Sequence, residues 1–576
     1  MRKVRKIIKF SGNSIKTILA ILHASLVVIL MSGPAFARET LHWEADPNIV
    51  GIKAAPTHAA EQASASDPSV DYFISVSKPV GVRPWESGFD NVPVTSRHKI
   101  TASNLNTNQS ETIYSDNPSL PAEKSLQTIN PRFRQTTKDK SYIIPALEIP
   151  IFLFLLNMCD RLAYPDEEVD GKKSYNTSLS TIENNFSDWS WVIDHDKFAI
   201  NQFAHPYQGT MHQGFARSAG LNYWEALLYS SAGSFLWEIG GETTRPSIND
   251  QIATGIGGSF FGEALFRMAG LVLESNGEKP GFWREMGAAV ISPATGFNRF
   301  AFGDRFKSVF PDRHQDTFWH ARLGVSLNSN ISDSGTPTRY ETAADFSLAY
   351  GLPGKTGHVH TRPFDYFHFE IAGRGNNDAI DSIFVRGLLL GKNYEAGNSL
   401  RGIWGLYGGY DYVSPHILPV SSTSVTLGTT FQWWASQAAA LQGSVLGGLG
   451  YAAAGNIRQD GENEYHYGIA PQGLVALRLI FSERAMLDFT GRAYYITDQG
   501  GRENHRTESI DRVNVGCTVR VYDRHALGFQ YAASLRNGRY PDRDDARQSA
   551  GTVSLFYTWL GNTGFGAVEW RSAESH

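Results

Sequence analysis

The chain has 576 residues and a formal net charge of −5, so it can hold several domains or one large barrel with attachments, and no global basic field points to nucleic acid. Its two cysteines, Cys159 and Cys517, are too few for a disulfide framework. Neither composition nor charge selects a cofactor, and none is expected.

The N-terminus predicts export. MRKVRKIIKFSGNSIK is basic, TILAILHASLVVILMSG is apolar, and PAFA closes with small residues at Ala35 and Ala37, the pattern read by signal peptidase. The expected signal peptide is therefore 1–37. Residues 38–140 are rich in Ser, Thr, Asn and Pro, with no sustained period. Such a segment buries too little apolar surface to offset its ordering entropy and is expected to be largely disordered.

Residues 141–310 read as a helical domain. IPIFLFLLNMCDRLAY forms a short apolar helix. The longer run from Ile143 is interrupted by Pro145, Glu148 and Pro150, so no convincing membrane-spanning helix is expected after the signal. NYWEALLYSSAGSFLWEIGGE is a second helix, stopped at Gly240 and Gly241. Ser247, with Asp250 three residues on, caps a third, QIATGIGGSFFGEALFRMAGLVLE. In it, Gly258 and Gly262 admit a close backbone, and Glu263 and Arg267 share a face.

From residue 317 the period changes to two. In FWHARLGVSLN, Trp319, Ala321, Leu323, Val325 and Leu327 alternate with His320, Arg322 and Ser326. DRVNVGCTVRVYDRHALGFQYAASLR sets Val513, Val515, Cys517, Val519 and Val521 on one side. A tight Asp523–Arg524 turn follows, and then Leu527, Phe529 and Tyr531. About a dozen segments of about ten residues recur, joined alternately by short turns and long polar loops, as transmembrane strands require. The opposite face carries Arg, His and Gln, which suit a wet lumen better than a dry sandwich core. The fold class expected is mainly β: a roughly 12-stranded antiparallel transmembrane barrel over 317–560, with a 561–576 tail, preceded by the small helical domain. Outer-membrane lipid and the assembly machinery of that membrane are the expected partners, and the cell outer membrane the expected location. Nothing sets the oligomeric state.

The helical domain holds a polar set. Asp194, His195, Asp196, His205, His212, Glu225, Glu238, Glu242, Asp250, Glu263 and Arg267 fall within one stretch. His205 and His212 are seven apart with Pro206 and Gly209 between them, which suits a loop and matches no zinc spacing, so no metal site is assigned. A hydrolytic reading takes His205 as base, with His212, Glu225, Glu238 and Asp250 as further catalytic candidates, acting on lipid or lipopolysaccharide. No GxSxG elbow accompanies it. The competing reading is structural: carboxylates cap helices or pair with arginines, with Arg217, Glu242, Glu263 and Arg267 forming a network that docks the domain on or within the barrel. A passive channel plugged by the domain is the third reading.

The ordered residues HPYQG, YWEALLYSSAGSFLWEIGGE and PSINDQIATGIGGSFFGEALFR resemble an uncharacterised bacterial domain-of-unknown-function family, number 3943, found in exported proteins. The resemblance covers about residues 195–300. It implies a helical domain ahead of an outer-membrane barrel and carries no catalytic assignment.

Overall fold

A computed structural model of the chain describes residues 140–568, apart from 166–167, 170, 195, 275–279, 304–315, 331–338, 355–358, 376–379, 415–417, 456–464, 499–505 and 541–543. The expected signal peptide, the Ser/Thr/Asn-rich segment up to 139 and His195 lie outside the described residues.

Among the described residues, seven helices precede the barrel. They are α1 Ile143–Ala163, α2 Leu179–Asp188, α3 His205–Ser218, α4 Tyr223–Gly240, α5 Gly258–Glu274, α6 Phe282–Ile291 and α7 Pro293–Phe302. A π-helical segment, Ile200–Ala204, leads into α3. A single turn at Ile248–Asp250 and a second π-segment, Gln251–Gly257, lead into α5.

Two helical expectations are corrected. α1 does not break at its prolines: it runs 21 residues with Pro150 inside. Pro145 sits in the first turn, where its missing N–H is an orphan in any case. Pro150 forfeits only the bond to the Ala146 carbonyl, and packing compensates. Its buried stripe, Pro145, Ile149, Leu153 and Asn157, is spaced every four residues. The stretch holding His205 and His212 is helix rather than loop, because Pro206 falls in the first turn of α3.

The barrel closes with twelve antiparallel strands in meander order. They are β1 Thr317–Asn330, β2 Arg339–Tyr350, β3 Phe367–Arg374, β4 Ser382–Ala396, β5 Leu400–Val413 and β6 Val420–Ser436. The rest are β7 Ala439–Gly455, β8 Tyr465–Phe481, β9 Ala485–Asp498, β10 Thr507–Tyr522, β11 His525–Arg539 and β12 Ala546–Leu560. β12 returns to β1 through Leu555 opposite Val325 and Tyr557 opposite Leu323. Several strands reach 17 residues, beyond the ten expected. The alternating pattern fades where a strand such as β7 ends in Tyr451-Ala-Ala-Ala-Gly455, so the sequence signal reports only the apolar belt. Short turns such as Asp523–Arg524 gather at one end of the barrel, and both barrel termini lie there too. Connections of six to nine residues join the strands at the other end, while the longest, the β2–β3 connection 351–366, lies at the turn end.

Contacts across the lumen fix which face is inside. Asp411 on β5 accepts a 2.6 Å hydrogen bond from the Tyr494 hydroxyl on β9, with three strands between them. Arg492 on β9 lies 3.7 Å above the Phe384 ring on β4. These residues point inward, so their neighbours Tyr410, Tyr412, Val385 and Ile383 point outward. The helices pack on that outward face. Phe261 stacks on Tyr410 at 5.6 Å, and Phe203 meets Tyr412 at 5.7 Å. At the turn end, Tyr223 stacks on Phe364 at 5.6 Å. The helical unit therefore flanks the barrel wall from its loop end to its turn end. The lumen-plug arrangement considered from sequence is not the one observed.

Candidate functional site

Two polar clusters inside the helical unit absorb most of the candidate residues. The first is an alternating chain of charge. Glu263, fully buried on α5, accepts from Arg217 of α3 at 2.7 Å and from Arg267 one turn on at 3.0 Å. Arg267 reaches on to Asp365 in the β2–β3 connection at 3.3 Å and donates to the Pro363 carbonyl at 2.6 Å. Asp365 is also held by the backbone N–H groups of Thr361 and Arg362, at 3.0 and 2.8 Å. Arg217 additionally bonds the Leu221 carbonyl and lies 4.7 Å over the Phe266 ring. Each charge is paired, as burial requires. The chain ties α3, α5 and the barrel together at the turn end.

The second cluster lies at the loop end around His205. Its Nδ1 is 3.3 Å from the Thr254 hydroxyl, and Asp250, Glu242, Asp194 and Asp196 surround it electrostatically. Each carboxylate described there has local work. Glu238 accepts the Ser247 backbone N–H at 2.7 Å. Glu242 accepts from Trp237 Nε1 at 2.9 Å and from the Thr244 hydroxyl at 3.1 Å. Asp250 accepts from Asn249 at 3.1 Å. The cap at Ser247 thus differs from the one expected: its side chain takes the Asp250 N–H at 3.2 Å, but Glu238, not Asp250, takes its own N–H.

This cluster clasps the barrel through tyrosines that sequence analysis did not select. Asn201 and Asn249 donate to Tyr465 and Tyr467, both at 2.8 Å, and Gln202 donates to Tyr467 at 2.8 Å. In return, Tyr465 and Tyr410 donate to the carbonyls of Asp196 and Gln202, at 2.6 and 2.5 Å. The only available clue was that these tyrosines fall on the apolar side of their strands.

The catalytic candidates converge only in part. His205, Glu238 and Asp250 share the loop-end cluster, joined by Glu242, which sequence analysis placed with the arginine network. Glu225 stands thirteen residues before Glu238 on α4, about 20 Å away at 1.5 Å per residue. There it closes a capping box with Asn222, at 2.8 and 3.0 Å, and pairs with Lys140 at 2.9 Å. The Asn-x-x-Glu spacing was a legible signal of that role. His212 fits a notch at Gly233, where a Cβ would stand 2.6 Å from its Nδ1, and meets Phe152 edge-on at 5.9 Å. Nearby serines bond helix carbonyls: Ser218 with Gly214, and Ser230 with Gly209. No group of three or more His, Cys, Asp or Glu among the described residues has metal-binding geometry.

The lumen is the other candidate. A cavity of about 130 Å³ is lined by His320, Arg322, His368, Arg386, Arg478 and Arg492, among others. Arg322 pairs with Asp345 and Arg478 with Asp488, both at 2.7 Å. At the turn end the chain folds back after β12 and packs into the mouth. Phe565 and Val568 pack with Phe318, Ile480, Met486 and Leu560 on inward positions. Gln432 holds the Val568 backbone at 2.7 and 3.0 Å, and Gln442 holds the Gly566 carbonyl at 2.6 Å.

Residues 190–294 match a family described as "Domain of unknown function (DUF3943)". No curated protein matches the chain. Among solved structures, the NanC porin is similar at 8% identity, with 41% of this chain and 98% of that chain covered, and a TM-score of 0.21. The outer membrane channel DcaP of Acinetobacter baumannii is similar at 7% identity over 42% of this chain and 97% of its own, with a TM-score of 0.20. The KdgM porin is similar at 8% identity over 41% and 98%, with a TM-score of 0.19. At such scores the likeness carries nothing about what passes or binds here.

Proposed function

We propose that the protein is an integral barrel of the outer membrane with a transport role, enclosing a polar passage that its own C-terminal segment holds shut. One observation carries this reading: the barrel wall has two faces. Outside, Leu323, Val325, Val515, Leu527, Phe529 and Leu555 are exposed and apolar, the surface that a bilayer solvates. Inside, arginines, histidines and carboxylates line a cavity that ends at the apolar seal of Phe565 and Val568. A passive, permanently open channel fits this closed mouth poorly. An enzyme centred on His205 is supported still less, because Glu225 lies at the far end of α4 and the surrounding carboxylates are engaged in caps and clasps.

The seal rests on few bonds, so it is testable. The intact protein is expected to be silent in planar bilayers. Gln432→Ala combined with Gln442→Ala, or Phe565→Asp alone, is expected to give discrete conductance while heat-modifiable gel migration is retained. Variants that stay folded and silent would sink the gated-passage reading.

A further inference from the structure

We infer that the helical unit is itself embedded in the bilayer, solvated by lipid acyl chains alongside the barrel. The inference rests on the barrel being membrane-spanning and concerns the face of the unit turned away from the wall. That unit is inside-out by the standard of a water-soluble bundle. Arg217, Glu238, Asp250, Glu263, Arg267 and His205 are buried in it. Its outer surface presents Leu147, Ile151, Phe154 and Leu155 from α1 and Leu228 from α4, each more than half exposed. From Ile143 to Cys159, α1 carries a single charged residue, Glu148, which accepts from Asn298 at 3.3 Å. Between Glu225 and Glu238, α4 carries none.

Length and level agree with this placement. α1 spans 21 residues, about 30 Å at 1.5 Å per residue, the thickness of a hydrocarbon core. The continuous helix Ile248–Glu274 is of similar length and mostly buried, so it serves as the inner helix between α1 and the wall. It runs down the outer wall from Tyr410, near the loop end, to Asp365 at the turn end. The plane that holds the exposed belt of β9–β12 therefore also passes through the bundle. Aromatic residues mark both ends. Trp224, Phe282, Trp283 and Phe300 are exposed near the end where α4 begins and α5 finishes, and Phe186 and Trp189 near the other. That is the interfacial position such rings favour. The occupant is hydrocarbon, because the apolar face is continuous in level with the lipid-facing wall of the barrel.

Nitroxide labels on the full chain, with Cys159→Ser and Cys517→Ser and reconstituted in dioleoylphosphatidylcholine vesicles, test the inference. Labels are placed singly through Leu147→Cys, Phe154→Cys, Leu228→Cys, Val515→Cys and Leu527→Cys. Collision with oxygen and with a water-soluble nickel chelate is then read at each. The expected result is oxygen contact with loss of nickel contact at all five positions. Nickel contact at 147, 154 and 228, with lipid contact at 515 and 527, would overturn the inference and leave the barrel reading standing. Exclusion of both reagents at 147, 154 and 228 would also overturn it, by placing a second protein surface there. Nickel contact at 515 and 527 would remove the barrel reading, and the inference with it.

Discussion

Glu263 shows what a single residue can carry here. It sits between Arg217 and Arg267 with no exposed surface, so its charge offsets two cations that water cannot reach. Glu263→Gln leaves Arg217 without a carboxylate partner, while Arg267 keeps Asp365. Removing one member of a buried ionic group typically costs about 3–5 kcal/mol. The expected outcome is a helical unit that detaches from the wall, seen as new protease cleavage within 196–303 while the barrel stays heat-modifiable. An unchanged digestion pattern would show that the network is dispensable. The Glu263–Arg267 pair was legible in the sequence because a spacing of four fixes a shared helix face. Arg217, 46 residues from Glu263, was placed with them on charge alone, whereas Asp365, 98 residues from Arg267, was not selected. No local period relates a helix to a barrel connection.

At the scale of elements, α3 and α5 cross through glycine. A Cβ at Gly209 would stand 2.0 Å from the Thr254 carbonyl oxygen, and one at Gly258 would stand 2.6 Å from the Gly209 Cα. Backbone meets backbone at that crossing, so no rotamer change relieves an added methyl. Gly209→Ala and Gly258→Ala are each expected to lose about 1–3 kcal/mol of stability through overpacking. Gly281→Ala, where a Cβ meets nothing within 4 Å, is expected to lose less, about 0.5 kcal/mol, from the poorer N-cap that alanine makes. Thermal unfolding followed by helical circular dichroism checks the contrast, and equal losses at all three would refute it. The Gly258–Gly262 spacing announced this close approach. The continuity of α1 was not announced, because proline sets a local penalty and only its surroundings decide whether that penalty is met. His205 and His212 teach the same lesson: Pro206 reads as a breaker until its place in the first turn is known.

For the whole molecule, the helices lie against the outer wall while residues 561–568 pack into the mouth of the lumen. Excising residues 140–303 would bare Phe346, Phe369, Tyr410 and Tyr412, apolar and aromatic side chains that lipid can solvate. The remaining barrel is expected to assemble, to keep heat-modifiable migration and to stay electrically silent, since the seal of Phe565 and Val568 is intact. Conductance in that variant would restore the plug reading.

The sequence by itself determined the strand period, the roughly twelve strands of the barrel and the polarity of its two faces. Each of these is a local alternation that the pleat turns directly into inside and outside. It also determined that the middle region is helical and rich in buried-type charge. Only the tertiary structure decided that the helices lie against the outer wall, that Tyr465 and Tyr467 clasp them, and that the C-terminal segment, not the helical unit, packs into the mouth of the lumen. An apolar strand face suits lipid and a packed helix equally well. The pattern that marks it cannot say which will cover it, and that choice is made by contacts between residues hundreds of positions apart.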